Sequence, residues 1–155
     1  MAKVKIVYGT TGGNTELVCE KVAMELEKKK HRVALEKVEL CDVTKITACD
    51  FLILASPTYG HGQLEDNFHR MWPKFQKVKL NKLPCAVIAL GDPKYEMDYL
   101  LESANILTEF IKEHGGVIVL DPLKLAKNPL PYFPKAVLLW TEKLHGILSK
   151  GLELD

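Results

Sequence analysis

Residues 10–15 of this chain combine hydroxyl groups with glycines, in the order Thr-Thr-Gly-Gly-Asn-Thr. They follow a short apolar run and precede a stretch whose apolar residues recur at helical spacing. Glycines let consecutive backbone N–H groups converge on an anion, and the first turn of a helix adds unpaired donors and a partial positive charge. The segment, called the phosphate loop below, therefore predicts a cradle for a phosphate group. A plain turn capped by Asn14 or Thr10 would use the same residue types.

The phosphate loop lacks the groups that reactions at phosphate require. It contains no lysine, so it differs from the GxxxxGK[ST] loop of nucleotide hydrolases, whose lysine reaches the transferred phosphoryl group. It also does not match the GxGxxG pattern with a downstream ribose-binding acid that is typical of NAD sites. Neutral donors suit a phosphate that is held without reacting. We therefore expect a bound phosphate group and no phosphoryl transfer.

Two later loops each place a tyrosine just after an apolar run. Residues 56–64 contain Tyr59, and residues 90–96 contain Tyr95. If both runs are central strands of one parallel sheet, the two tyrosines lie at the same sheet edge as the phosphate loop. Tyrosine rings there can stack on the two faces of a planar ring. Either tyrosine alone reads as an ordinary turn residue, but the combination predicts a phosphate-bearing ligand with a flat ring.

Two alternating periodicities predict the elements that position these loops. Short runs rich in Val, Ile and Leu indicate strands, and longer stretches with an apolar residue every three or four positions indicate helices. Strands are expected at residues 4–8, 32–38, 51–56, 85–90 and 117–120, and helices at about 14–30, 65–75, 99–114 and 135–148. We expect an α/β fold, a three-layer doubly wound five-stranded parallel sheet of order 2-1-3-4-5, with ligands at the carboxyl ends of the strands.

Composition and charge exclude several other classes of protein. With 155 residues, 47% hydrophobic and 26% charged, the chain has the size and composition of a single globular domain over residues 1–155. Its 21 basic and 20 acidic residues leave a net charge of +1, so no overall field favours nucleic acid. No apolar run of about 18 residues could span a membrane. The first residues lead directly into a strand pattern without signal-peptide anatomy, so a cytoplasmic location is expected. We also expect the chain to be a monomer.

The four cysteines do not form a recognisable metal or redox motif. They are scattered along the chain without a CxxC pair and without a histidine at ligand spacing. We expect buried, reduced thiols and no metal site. The cysteines are Cys19, Cys41, Cys49 and Cys85.

The three loops together resemble those of the flavodoxin family, and specifically its shorter class. Residues 9–15 resemble the family's phosphate loop, residues 57–60 its first flavin loop and residues 91–96 its second flavin loop. The order and spacing of the expected strands match over residues 3–148. The fifth strand passes directly into Asp121-Pro122 without an inserted segment, as in the short class.

This resemblance implies a low-potential electron carrier that binds one FMN non-covalently and has no substrate turnover or catalytic residue of its own. Its partners would be redox proteins, with a reductase as electron donor and an oxidoreductase as acceptor. In the family pattern, Tyr59 and Tyr95 stack on the flavin, Thr58 lies near the ribityl chain, and Gly60 provides the carbonyl that turns toward flavin N5. The implied FMN-binding residues are Thr10, Thr11, Gly12, Gly13, Asn14, Thr15, Pro57, Thr58, Tyr59, Gly60, Leu90, Gly91, Asp92 and Tyr95.

Several residues depart from the family pattern. Gly12 stands where many members have a hydroxyl residue, and Pro57 stands where serine is common. His61 lies where acidic residues are frequent, and Lys94 precedes the implied stacking Tyr95. The near-neutral net charge differs from the strongly acidic charge usual in the family, which bears on how the chain docks on its partners.

Three other functions use the same strand order. An FMN-dependent NAD(P)H:quinone-type reductase would need room over one face of the flavin, which two stacking tyrosines would restrict. A phosphorylation-controlled signalling domain would need acidic residues after the first strand and an aspartate ending the third, where this chain has Gly9-Thr10 and Ser56-Pro57. A flavin-binding module with a mainly structural role is the third alternative.

Overall fold

A parallel β-sheet forms the middle layer of the fold. The computed structural model describes residues 1–59, 62–91, 101–126 and 134–151. The strands in these ranges are β1 (Lys3–Tyr8), β2 (Arg32–Lys37), β3 (Phe51–Pro57), β4 (Pro84–Gly91), β5 (Val117–Ile118) and β6 (Leu123–Ala126). Their order is β2-β1-β3-β4-β5, β6 also pairs with β4, and every pairing is parallel. The predicted order and fold class are confirmed.

Four α-helices within the described ranges connect and cover these strands. They are α1 (Asn14–Lys28), α2 (Asp66–Phe75), α3 (Glu102–Glu113) and α4 (Pro134–Ser149). The first helix ends two residues earlier than expected because Lys30 adopts a left-handed backbone, with φ at 73°, which a continuing helix cannot accommodate. The expected first residues of α3, 99 and 100, lie outside the described residues.

The fifth position of the sheet differs from the expected strand at residues 117–120. The ladder with β4 is interrupted, since β5 pairs at Pro84 and Cys85 whereas β6 pairs from Ile88 to Gly91. The intervening segment contains Pro122, which has no N–H to donate to a ladder. The strand therefore resumes at Leu123 and extends the sheet to the carboxyl end of β4, close to where a ligand of this fold would lie.

Alternate residues of the central strands pack into two separate cores. On one face, Ile6, Ile53 and Ile88 pack in a cluster with residues of α1 and α4. On the other face, Val7 and Val87 pack in a cluster with residues of α2 and α3. Each of these side chains is fully buried, which contributes about 1.5–3 kcal/mol apiece. Because successive strand residues point to opposite faces, one run of apolar residues supports both outer layers.

All four cysteines are free thiols, as the sequence predicts. Cys19, Cys41 and Cys85 are buried, whereas Cys49 is only half-buried. Burial raises the pKa of the Cys41 thiol to about 11 and that of the Cys85 thiol to about 12. These thiols therefore stay protonated near neutral pH and are poor nucleophiles.

A pair of histidines joins the end of α1 to α4 and to the first strand. The backbone N–H of Ala2 donates to His31 Nδ1 at 3.1 Å, so the proton of neutral His31 is on Nε2, which lies 2.9 Å from His145 Nδ1. The side chain of His31 is only 5% exposed. Its pKa is lowered, first by burial and then by the charges of His145 and the N-terminal amine. The folded chain therefore favours neutral His31.

We predict that acid destabilises the fold through His31. The unfolded chain takes up this proton near pH 6.5, whereas the folded chain resists it. The stabilisation is therefore complete above about pH 6.5 and is lost progressively as the pH falls toward the lowered pKa of the folded state. Urea unfolding of the native chain and of His31→Asn is measured at about pH 7.5 and 5.5. The free energy of unfolding should fall less between these two pH values in the variant than in the native chain.

The control for this measurement is His69→Asn, because His69 is exposed on α2. With this change, the free energy of unfolding should fall with pH by as much as it does in the native chain. If the free energy of unfolding falls equally in His31→Asn and in the native chain, the acid destabilisation does not come from His31.

Candidate cofactor site

The phosphate loop connects the end of β1 to the start of α1. The N–H of Gly9 still donates to Ala55 O of β3 at 3.0 Å, so the loop begins within the sheet. Gly13 has φ at 87°, a conformation that L side chains rarely adopt, and its N–H donates to Thr10 Oγ1 at 3.0 Å. Gly13 is the N-cap residue of α1, and no side chain caps this helix. Thr10 therefore closes the turn before α1, but neither Thr10 nor Asn14 caps the helix itself.

Thr15 contains a buried hydroxyl without a hydrogen-bond partner. Its side chain is 1% exposed, and its Oγ1 has no partner among the described residues. A buried polar group left unpaired costs about 1–3 kcal/mol. Such a hydroxyl in the first turn of α1, beside helix N–H groups that no side chain caps, fits a bound anion. The phosphate loop therefore has the donors that a phosphate ester requires.

The hydroxyl of Thr11, unlike that of Thr15, has a hydrogen-bond partner among the described residues. The side chain of Thr11 is exposed, and its hydroxyl donates to Glu65 Oε2 at 3.0 Å. Glu65 is fully buried and caps α2, where its Oε1 accepts from the backbone N–H groups of Asn67 at 2.9 Å and Phe68 at 3.2 Å. Sequence reasoning missed Glu65, because glutamate is not a favoured N-cap residue.

The described part of the first flavin loop, Pro57 to Tyr59, lies beside the end of β4. Pro57 is paired with Leu90 in the sheet, and the N–H of Thr58 donates to Leu90 O at 2.7 Å. Tyr59 is half-buried and forms a bridge with Gln63, in which the N–H of Tyr59 donates to Gln63 O at 2.9 Å and the N–H of Gln63 donates to Tyr59 O at 2.8 Å. The tyrosine is therefore anchored by its backbone in a tight turn.

The hydroxyl of Thr58 points into the protein. It donates to Ser103 Oγ at 2.8 Å, and the N–H of Ser103 donates back to Thr58 Oγ1 at 3.2 Å. The Ser103 hydroxyl in turn donates to Ser56 O at 3.1 Å. This buried network ties the first flavin loop to the first turn of α3, and no local sequence pattern marks Ser103 as its partner. Because its hydroxyl is engaged in this way, Thr58 stabilises the first flavin loop from the protein interior.

The second flavin loop is described only at its start. Leu90 is buried, and Gly91 is the last residue of β4, opposite Ala126 of β6. Sheet register places the ends of β1, β3 and β4 side by side, so the structure brings the phosphate loop, Thr58 and Gly91 to one edge. The predictions for Gly60, His61, Asp92, Lys94 and Tyr95 lie outside the described residues.

Acidic groups lie close to the phosphate loop. Glu16, in the first turn of α1, accepts a hydrogen bond from the Tyr8 hydroxyl at 3.0 Å. Burial, followed by this hydrogen bond to Glu16, raises the pKa of Tyr8 well above its usual range. Lys37 lies 3.9 Å from Glu16. The loop itself offers only neutral donors, so helix N–H groups and hydroxyls have to hold an anion there.

We predict that Gly9→Ala destabilises the protein, whereas Gly12→Ala does not. A Cβ atom at Gly9 would lie 2.6 Å from Glu65 Oε1 and 3.1 Å from Phe68 Cδ2, both parts of buried side chains. Such overpacking costs about 1–3 kcal/mol. A Cβ atom at Gly12 meets nothing within 4 Å, so Gly12→Ala should change stability by no more than about 0.5 kcal/mol. Urea unfolding without flavin measures both, and equal losses would contradict this prediction.

Comparison with known proteins agrees with this geometry. The sequence profile described as Flavodoxin matches residues 6–140. The probable flavodoxin 2 of Bacillus subtilis is 32% identical over 130 residues, which cover 83% of this chain and 85% of the relative. The flavodoxin of Maridesulfovibrio salexigens is 30% identical over 132 residues, covering 83% and 89%. The crystal structure of oxidised flavodoxin 2 from Bacillus cereus superposes with a TM-score of 0.82 at 28% identity, covering 96% of this chain and 99% of that one. The chain belongs to the flavodoxin family.

Proposed function

We propose that this chain carries single electrons at low potential between redox partner proteins, using one non-covalently bound FMN. The flavodoxin family consists of FMN-dependent electron carriers, and the alternative of a quinone reductase is not favoured. The observation that carries the proposal for the site is the buried Thr15 hydroxyl, which lacks a partner in a loop of neutral donors. A solved flavodoxin of the same fold, from Fusobacterium nucleatum, is described as bound to flavin mononucleotide.

The phosphate of FMN would be held by the phosphate loop. The hydroxyls of Thr10 and Thr15 would provide hydrogen bonds, together with the backbone N–H groups of Thr11, Gly12, Asn14 and Thr15. The left-handed backbone of Gly13 supports this role, because it allows neighbouring N–H groups to turn toward one point. The partial positive charge at the start of α1 adds to the attraction.

The ring system would lie over the two flavin loops. When bound, FMN supplies the one-electron redox chemistry, while the protein provides position and electrostatics. Tyr59 is anchored in its turn and would stack on one face of the ring, and Tyr95 would stack on the other. Tyrosine faces and an uncharged pocket around the pyrimidine edge would disfavour added negative charge on the ring, which supports a low potential. Thr58 would lie near the ribityl chain. The other proposed FMN-binding residues of the two flavin loops are Pro57, Tyr59, Gly60, Leu90, Gly91, Asp92 and Tyr95.

The mode of partner docking follows from the charge of the chain. With a net charge of +1 the protein has little long-range attraction for a strongly charged partner. We propose that docking on the reductase and on the acceptor uses short-range contacts of mixed charge, and that the carrier has no substrate turnover of its own. No helix among the described residues is long and apolar enough to cross a membrane.

We further propose a cytoplasmic monomer formed by one domain over residues 1–155. Four free thiols suit a reducing compartment. Light scattering of the FMN-bound protein at micromolar concentration tests the monomer.

We predict opposite effects of Thr15→Val on FMN binding and on stability. The valine keeps the shape of the buried side chain but removes the hydroxyl, so FMN affinity should fall by about tenfold or more. The flavin-free protein should gain about 1 kcal/mol of stability, because the unpaired hydroxyl is gone. Fluorescence titration with FMN and urea unfolding without FMN measure the two effects.

The comparison variant for this titration is Gly12→Ser, which adds the hydroxyl that is common in the family at that position. It should change FMN affinity less than Thr15→Val does, because binding rests on Thr15 and on backbone donors. The reverse order of the two effects would count against this assignment of the loop.

Electron carriage and reductase activity give different results with nicotinamide cofactors. The FMN-bound protein mixed with NADH or NADPH in air should take up no more oxygen than the same amount of free FMN. Addition of a flavin-linked reductase should then reduce the bound flavin. Rapid bleaching or oxygen uptake without an added reductase would instead support an enzyme.

A further inference from the structure

Glu65 is a buried carboxylate that electron transfer by the bound flavin does not use. Its side chain is fully buried between the phosphate loop and α2. Oε1 is held by the two backbone N–H groups at the start of α2, and Oε2 accepts from Thr11 at 3.0 Å and from Asn67 Nδ2 at 3.3 Å. Gly9 leaves the space in which this carboxylate fits, since a Cβ there would lie 2.6 Å from Oε1. Its position is therefore fixed from several sides.

The hydrogen bond from Thr11 limits what this residue can offer to a ligand. A hydroxyl has one proton, and an ionised carboxylate only accepts hydrogen bonds. The proton of Thr11 therefore points at Glu65 Oε2, and only lone pairs of the hydroxyl oxygen remain for other contacts. Phosphate oxygens are acceptors too, so they gain nothing from those lone pairs. Thr11 can offer its hydroxyl to a phosphate only by leaving the carboxylate.

We infer that Glu65 withholds the Thr11 hydroxyl proton from the FMN phosphate and so sets the strength of phosphate binding in this chain. The inference rests on the proposed function, because it takes the phosphate loop as the phosphate site. Glu65 and the phosphate compete for one donor. The Thr15 hydroxyl, which has no partner among the described residues, remains available as a donor to the phosphate.

Glu65→Gln tests this competition with little change of shape. The two N–H groups at the start of α2 require an acceptor, so the glutamine Oε1 takes the place of Glu65 Oε1. Its Nε2 then faces Thr11 and donates to the hydroxyl oxygen, which frees the Thr11 proton for the phosphate. Asn67 loses its longer contact at 3.3 Å but keeps its bond to Glu39 at 2.6 Å.

The measurement compares FMN with riboflavin, which has the same ring but no phosphate. Dissociation constants of both come from quenching of flavin fluorescence, and their ratio reports the phosphate contribution alone. Glu65→Gln should raise the preference for FMN by about tenfold, as expected for one added hydrogen bond to a charged group. Riboflavin affinity should change little.

Two further variants distinguish the effect of the freed Thr11 proton from the effect of removing a negative charge. Glu16→Gln also removes one negative charge near the loop, but the Glu16 carboxylate accepts its hydrogen bond from Tyr8, whereas Thr11 donates to Glu65. It should raise the FMN preference far less than Glu65→Gln does. In Glu65→Gln combined with Thr11→Val the gain should disappear, because the freed proton is absent.

The possible outcomes separate this inference from the proposed function. A preference that does not rise in Glu65→Gln, that rises equally in Glu16→Gln, or that survives Thr11→Val overturns the inference. If Glu65→Gln does not fold, Thr11→Val in the otherwise native chain should lower the FMN preference less than Thr15→Val, and an equal loss overturns the inference. A native chain that binds riboflavin as tightly as FMN would refute the phosphate site itself.

Discussion

The parallel pairing of β1, β3 and β4 is the interaction on which the rest of this structure depends. These strands are covered on both faces, so their apolar residues support two cores at once. A slip of one residue would exchange the residues of the two faces, which makes the register costly to change. Because register sets where each strand ends, the cores determine that the phosphate loop, Thr58 and Gly91 meet at one edge.

The polar groups at this edge are there at some cost in stability. The buried hydroxyl of Thr15 has no partner in the part of the chain that the structure describes, and the fully buried Glu65 carboxylate has lost its hydration. Backbone N–H groups of α2 and the hydroxyl of Thr11 compensate the carboxylate, and Ser103 compensates Thr58. The site is therefore a set of paired polar groups around one unpaired donor, which is the arrangement expected where a ligand completes the bonding.

Neutral donors and nearby carboxylates give this site a particular electrostatic character. A phosphate held by hydroxyls and helix N–H groups keeps much of its negative charge, and Glu16 lies in the same first turn of α1. The surrounding chain adds little, because its net charge is +1. The local field at the cofactor and the field that a partner meets at a distance are therefore set by different residues.

The sequence by itself determined the elements and the loops between them. Apolar runs, helical periodicity and the glycines of residues 10–15 act over a few neighbouring positions, so the strands, the helices and the phosphate loop could be predicted from them. Only the tertiary structure decided the pairing of β6 with β4 after the interruption at Pro122, the burial of Glu65 against Thr11, and the bond from Thr58 to Ser103. Residues 54 and 45 positions apart form the last two contacts. No local pattern encodes such contacts, because packing of the whole sheet and its helices brings these residues together.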